Sequence, residues 1–400
     1  MQDMPLQVLP YSVQPDGENF IIGSARSGKF LSVPADVIAI LEAFKAGSSP
    51  AQVHQDYLQR DGEAPDLEDL IQVLSGHGIL STAATPLPES RLPRGHFDWV
   101  TPAMGRVLWN RYTLAVMAVI VFAAVVTLWR DPVLLPGWRA LYFPRDTAVQ
   151  LLGLMLLGMA STFVHEMAHL TAARASGVSC RFSIGNQLWF VVWYTDMSGI
   201  WALPRRQRYL PILAGPLIDL VSAALIVLVL AADRQHGWGF APYTVSLLSA
   251  LLFVYLLRIV WQCYFFIRTD FYYALSNLLG CKRLLQDTED WLRNRWARLR
   301  GRVEAVDQSG LPAHERRMIP TYAAIWLGGR GIAFSLLLFV QLPLFVSYLF
   351  LLWKSITAPD SAQPVPATTW LAGLLFSTLL IAGLAMWARQ LWPRKGKIDA

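Results

Sequence analysis

The chain of 400 residues is 54% hydrophobic and only 16% charged, a balance that argues against an ordinary soluble domain and for a membrane class. Its formal net charge of +6 is placed beside apolar runs, which favours the lipid bilayer over nucleic acid as the surface it meets. Cys180, Cys263 and Cys281 are few, far apart and odd in number, so no disulfide framework is expected.

The first hundred residues are rich in charged and loop-forming residues and hold no apolar run of membrane-spanning length. Met1 to Pro10 lacks a basic flank followed by an apolar stretch, so this part is expected to stay in the cytosol. Phe20-Ile21-Ile22-Gly23 and Gly28-Lys29-Phe30-Leu31-Ser32-Val33 read as two short strands around the turn-like Ser24-Ala25-Arg26-Ser27. Helical patterns follow at about 35–46, 50–59 and 66–77. These elements predict a small α+β domain over 1–82, followed by a linker over 83–110 whose first part, Thr82 to Pro93, is rich in proline.

From residue 111 onward the chain reads as a membrane body. Six stretches, roughly 112–129, 147–169, 209–232, 242–267, 331–353 and 369–388, approach or exceed the roughly 20 apolar residues a spanning helix needs. Lys and Arg number 4, 5, 11 and 4 in regions 90–111, 170–208, 268–330 and 389–400, against 3, 1 and 1 in 130–146, 233–241 and 354–368. Basic loops stay on the cytoplasmic side, which puts both termini in the cytosol and the protein in the cytoplasmic membrane. Residues 182–203 are apolar but aromatic, β-branched and glycine-rich. A seventh span there would invert the basic loops, so a re-entrant or strand-like segment is expected. In 291–302, arginines 293, 295, 298, 300 and 302 alternate with tryptophan and leucine, the pattern of an amphipathic helix lying on anionic lipid.

The chemistry is concentrated at the end of the second stretch, in His165-Glu166-Met167-Ala168-His169. Histidines four apart stand one turn above each other on one helix face and can reach a single ion. Imidazole nitrogens suit zinc, and the intervening Glu166 is placed to move a proton as catalytic base. Ionisable groups within an apolar span are costly to bury and mark a functional site. A third ligand must come from the same depth. Span 147–169 runs inward, as does 242–267, which ends at Arg268-Thr269-Asp270; Asp270 is therefore the expected third ligand. Asp219 either supports the site or is a satisfied buried carboxyl. Asp196 either lines a substrate cleft or marks a turn. Cys263 is expected to be packing, and His236 falls on the outer side.

The membrane body, over roughly 145–330, resembles the site-2 protease family of intramembrane zinc metallopeptidases, in its bacterial peptide zinc metalloprotease branch. The residues that carry the resemblance are His165 to His169, Ala214-Gly215-Pro216-Leu217, and Thr269-Asp270-Phe271-Tyr272-Tyr273. It implies a zinc ligand role for Asp270. Two departures stand out: Phe271 occupies the family's glycine position, and Tyr264-Phe265 stands where an Asn-Pro pair is usual. A lost glycine removes backbone freedom. Residues 10–82 are similar to PqqD-like winged-helix domains, which implies recognition of a leader peptide added to a strand edge and tethered near the membrane site.

The expectation is an all-α polytopic membrane protein of six spans and a re-entrant segment, with a winged-helix-like cytosolic domain. Its expected activity is zinc-dependent hydrolysis of a peptide or membrane-protein substrate, in maturation or export of a ribosomally made modified peptide. The competing reading is a non-hydrolytic peptide-binding component that serves an exporter or secretion partner and holds a structural zinc.

Overall fold

The computed structural model describes residues 6–391 apart from 17–18, 25–29, 62–64, 83–96, 98, 142–146, 188–189, 282, 304–305, 344–345, 347–349, 351–352 and 354–366. The chain is mostly helical, with a small strand-containing domain at its N-terminus.

In that domain β2 (Tyr11–Asp16), β3 (Asn19–Ser24) and β4 (Phe30–Pro34) form an antiparallel sheet in the order β2-β3-β4. A separate pair joins β1 (Leu6–Val8) to β5 (Leu80–Thr82), closing the domain's two ends on each other. Helices α1 (Ala35–Lys45), α2 (Pro50–Asp61) and α3 (Leu67–Gly76) lie between. Their spacing of apolar residues turns Val37, Ile40, Leu41 and Phe44 of α1 and Leu67 and Leu74 of α3 onto Ile22 and Val33 of the sheet. Asp66 caps α3, accepting from the backbone N–H groups of Glu68 and Asp69 at 3.1 and 3.2 Å. Both expected strands and all three helices are present. The strands at 6–8, 11–16 and 80–82 were not foreseen; with β2 in place, β3 is the central strand and β2 and β4 are the outer ones.

The predicted linker divides in two. Residues 83–96 and 98 lie outside the described residues, whereas α4 (Pro102–Leu108) packs on α6 (Thr147–Ala175). Gly105 makes that approach possible: a β-carbon there would stand 2.5 Å from the Thr171 carbonyl oxygen and 2.7 Å from the Ala175 nitrogen. The Trp109 indole N–H then donates to the Thr171 hydroxyl at 2.9 Å, so the end of the predicted linker belongs to the helical body.

Among the described residues four helical segments are long and apolar enough to cross a membrane: Pro102–Arg130, Arg205–His236, Pro242–Gln262 and Ala313–Phe339. They contain α5 (Arg111–Arg130), α7 (Tyr209–His236), α8 (Pro242–Gln262) and α11 (Ala313–Leu336). The remaining predicted spans fall on α6 and on α12 (Ala367–Leu391), which are not among these four. The predicted boundaries at 331–353 shift. Helix α11 begins at Ala313, well before the purely apolar run, and residues beyond 343 lie largely outside those described.

α7 is the spine of the bundle. Of its apolar stretch 56% is buried by the rest of the chain, against 6% for Pro102–Arg130, and it packs on α5, α6, α8 and α9 (Asp270–Leu279). Small residues, Ala214, Gly215, Ala223, Ala224 and Ala231, line its buried face and allow close helix approach. The predicted re-entrant or strand-like segment is a β-hairpin: β6 (Arg181–Gln187) pairs with β7 (Phe190–Asp196) in the register Arg181 to Asp196 and Gln187 to Phe190, followed by a 3-10 turn, Ser198–Ala202. Pairing satisfies the backbone that an isolated extended segment would leave bare. The N-terminal sheet rests on that turn.

Leu41 is fully buried against Ile22 and Leu74, so Leu41→Ala is expected to cost about 2–5 kcal/mol in the N-terminal domain. Limited proteolysis of the full chain should then cut that domain faster while leaving the helical body intact; an unchanged cleavage pattern would refute this core.

Candidate metal centre

His165 and His169 are on α6, one turn apart, with ring centroids 4.8 Å from each other, and both are buried, as is Glu166 between them. Each imidazole is held by its Nδ1. That of His165 lies 2.8 Å from Asp219 Oδ2, and that of His169 lies 2.7 Å from the Pro211 carbonyl oxygen. A carbonyl and a carboxylate only accept, so both Nδ1 atoms carry a proton, and both Nε2 atoms point inward. The two Nε2 atoms stand 3.2 Å apart, and Asp270 faces them, with Oδ2 3.2 Å from His165 Nε2 and Oδ1 3.3 Å from His169 Nε2.

The placement of Asp270 is built locally. α8 ends at Gln262, and the chain crosses back to start α9 at Asp270 with Thr269 as its N-cap, accepting from the Tyr272 N–H at 3.2 Å. The Thr269 hydroxyl donates to the Gln262 carbonyl at 2.9 Å. The Gln262 side chain closes the corner twice: its amide donates to Asp270 Oδ2 at 2.8 Å and its Oε1 accepts the Asp270 N–H at 3.0 Å. A carboxylate in the first turn also meets the positive end of the helix. The far end of α9 is tied down by Arg205, which donates to the carbonyls of Asn277 and Leu278 at 2.5 and 2.6 Å.

These residues can hold a metal ion, since one ligand atom from each of His165, His169 and Asp270 lies within 4.8 Å of the others. Their chemistry suits a cation. An ion among them would take up the Nε2 lone pairs and the negative charge of the carboxylate together. The two Nε2 atoms stand 3.2 Å apart, and each faces a different oxygen of Asp270, Oδ2 at 3.2 Å from His165 and Oδ1 at 3.3 Å from His169. The backbone of α7 is cut back to make the space: a β-carbon on Gly215 would fall 2.3 Å from His169 Nε2 and 2.5 Å from His165 Nε2. Three protein ligands leave one tetrahedral position open, as catalytic sites do.

Glu166 is on the same helix and interacts electrostatically with both imidazoles and Asp270. Its backbone carbonyl accepts from the Thr195 hydroxyl of β7 at 3.1 Å, which pins the hairpin beside the centre. Asp219 joins the site through His165. Asp196 does not reach the three ligands: its carboxylate accepts from the backbone N–H and hydroxyl of Ser198 at 3.1 and 2.6 Å, shaping the turn after β7. Cys263 is exposed and its Sγ faces the Ile259 carbonyl, and His236 is at the far end of α7. Phe271 raises no backbone difficulty, because it is in the first turn of α9 with a negative φ; nothing there requires glycine.

Four participants were not foreseen: Gln262, Thr195, the Pro211 carbonyl and the space left by Gly215. Gln262 and Thr195 are ordinary polar residues with no spacing signature, and a carbonyl carries no sequence signal at all. Arg258 was visible as a charge in an apolar span, and Asp219 as its opposite on the neighbouring one; pairing them was open to charge reasoning.

Gly215→Ala adds one methyl and improves helix propensity, yet should displace the imidazoles and drop metal content well below one ion per chain by elemental analysis, as should His169→Ala. Full metal content in Gly215→Ala would show that the ion is held elsewhere.

No family model matches the chain, and no match emerges among curated proteins or solved structures.

Proposed function

We propose that this chain is a zinc-dependent peptidase of the cytoplasmic membrane, similar in design to the site-2 proteases, with His165, His169 and Asp270 as metal ligands and Glu166 as catalytic base. The observation that carries the reading is a buried carboxylate, Glu166, next to a three-ligand centre with an open fourth position. Zinc, when bound, would polarise the scissile carbonyl and acidify the attacking water.

This chain's own groups then supply the rest. Glu166 takes the proton from water and returns it to the departing amine. The acceptors on the Nδ1 atoms, Asp219 and the Pro211 carbonyl, keep both imidazoles in the ligating tautomer through the cycle. Gln262 holds the Asp270 carboxylate by its Oδ2, so the ligand does not swing toward the substrate. The helices around the centre keep bulk water out, which strengthens each of these interactions.

The proposal includes six spans, with α6 and α12 joining the four helices of spanning length, and both termini in the cytosol, as the Lys and Arg distribution favours. The substrate is a peptide or membrane protein cut at or near the cytoplasmic leaflet. The N-terminal sheet, docked on the turn that follows β7, is suited to present a leader peptide along an outer strand, in the maturation or export of a modified peptide. A secretion or export partner would then receive the product.

The test is cleavage of candidate precursor peptides from neighbouring genes by purified, metal-loaded chain and by Glu166→Gln. The substitution is expected to keep the metal and to slow cleavage about 10²–10⁴-fold. A metal-loaded wild type that binds such peptides and cuts none would replace the peptidase with a peptide-binding export component holding a structural metal.

A further inference from the structure

Arg258 is an arginine in the C-terminal part of an apolar helix, α8, where an unpaired charge is costly. Three groups from two other helices account for it. One Nη1–H reaches Asp219 Oδ1 on α7 at 3.0 Å, and Nη2 donates to the Ser161 and Thr162 hydroxyls on α6 at 2.7 and 3.0 Å. Those hydroxyls donate in turn to the Gly158 carbonyl, both at 2.9 Å, so their lone pairs are turned toward the guanidinium. The Tyr255 ring lies beneath it, 5.5 Å from the guanidinium carbon.

Asp219 is 1% exposed and uses its two oxygens on different partners: Oδ1 on Arg258 and Oδ2 on His165 Nδ1. An ionised carboxylate so deeply buried needs a fixed counter-charge. Arg258 supplies it and leaves the other oxygen free to accept from the imidazole. Ser161 and Thr162 are in the helical turn that precedes His165, so the same guanidinium also sets the rotation of α6 against α7. His169 needs no equivalent, because its Nδ1 is held by a backbone carbonyl.

We propose that Arg258 is a positioning residue of the metal centre: through Asp219 it fixes the tautomer and orientation of His165, and through Ser161 and Thr162 it fixes the height and rotation at which His165 and His169 meet Asp270. Two of its bonding nitrogens must be spanned by one rigid fork, which lysine cannot reproduce. The inference rests on the metal reading of the site and not on the peptidase reading, so a metal assay tests it separately.

The experiment is Co²⁺ titration of the full-length, detergent-purified chain against a competing chelator, with the visible absorption of the bound ion recorded. Arg258→Lys and Arg258→Met are compared with wild type and with the paired, charge-neutral Asp219→Asn/Arg258→Met. Outer partners of ligating histidines are typically worth about 10–100-fold in metal affinity. Arg258→Lys is expected to bind about tenfold more weakly with an altered ligand-field spectrum, and Arg258→Met to lose more.

If Arg258→Met does not fold, the paired variant removes the stranded charge, and it too should bind more weakly than wild type. Wild-type affinity and spectrum in Arg258→Lys or in the paired variant would overturn the proposal, leaving Arg258 a helix-packing ion pair. Failure of the wild type itself to bind Co²⁺ would instead overturn the metal centre.

Discussion

Three lone-pair-bearing groups are pressed together inside a bundle of apolar helices, and every nearby feature is arranged around that unfavourable meeting. Two imidazole nitrogens 3.2 Å apart, facing a carboxylate at 3.2 and 3.3 Å, are a donor set that a cation between them would stabilise. The Nδ1 acceptors turn the imidazoles inward, Gly215 yields its volume, and Gln262 braces the carboxylate. Each arrangement is suited to an ion held by the three side chains.

The helices supply rigidity for this, and α7 more than any other. It carries Pro211, Gly215 and Asp219, which respectively hold one ligand, admit both and orient the other. Residues 211, 215 and 219 recur every four positions, so all three lie on one face of the helix toward α6. One side of one helix thereby forms the outer wall of the centre. Its small buried residues bring α6 close enough for those contacts to be direct.

The hairpin and the N-terminal domain extend the site outward. Thr195 on β7 bonds to the backbone of Glu166 itself, and the turn just past β7 supports the N-terminal sheet. A peptide bound to that sheet would therefore sit one structural step from the proposed base, a geometry that tethering would exploit.

The sequence by itself determined the parts that depend on local periodicity and on residue type. His165, Glu166 and His169 announce a centre because helical spacing stacks positions four apart, and the strands and helices of the N-terminal domain follow from alternation and 3.6-residue patterns. The alternating basic loops led to Asp270 as a partner for the histidines, and the structure brings the three side chains together. Tertiary structure alone decided what depends on packing between distant segments: that the extended stretch 182–203 pairs with itself, that α11 starts at Ala313, that Asp196 spends its carboxylate on a turn, and that a glutamine, a backbone carbonyl and a missing side chain complete the centre. None of these has a period or a spacing, because each is set by which surfaces of separate helices meet, and that is a property of the packed bundle rather than of any stretch of chain within it.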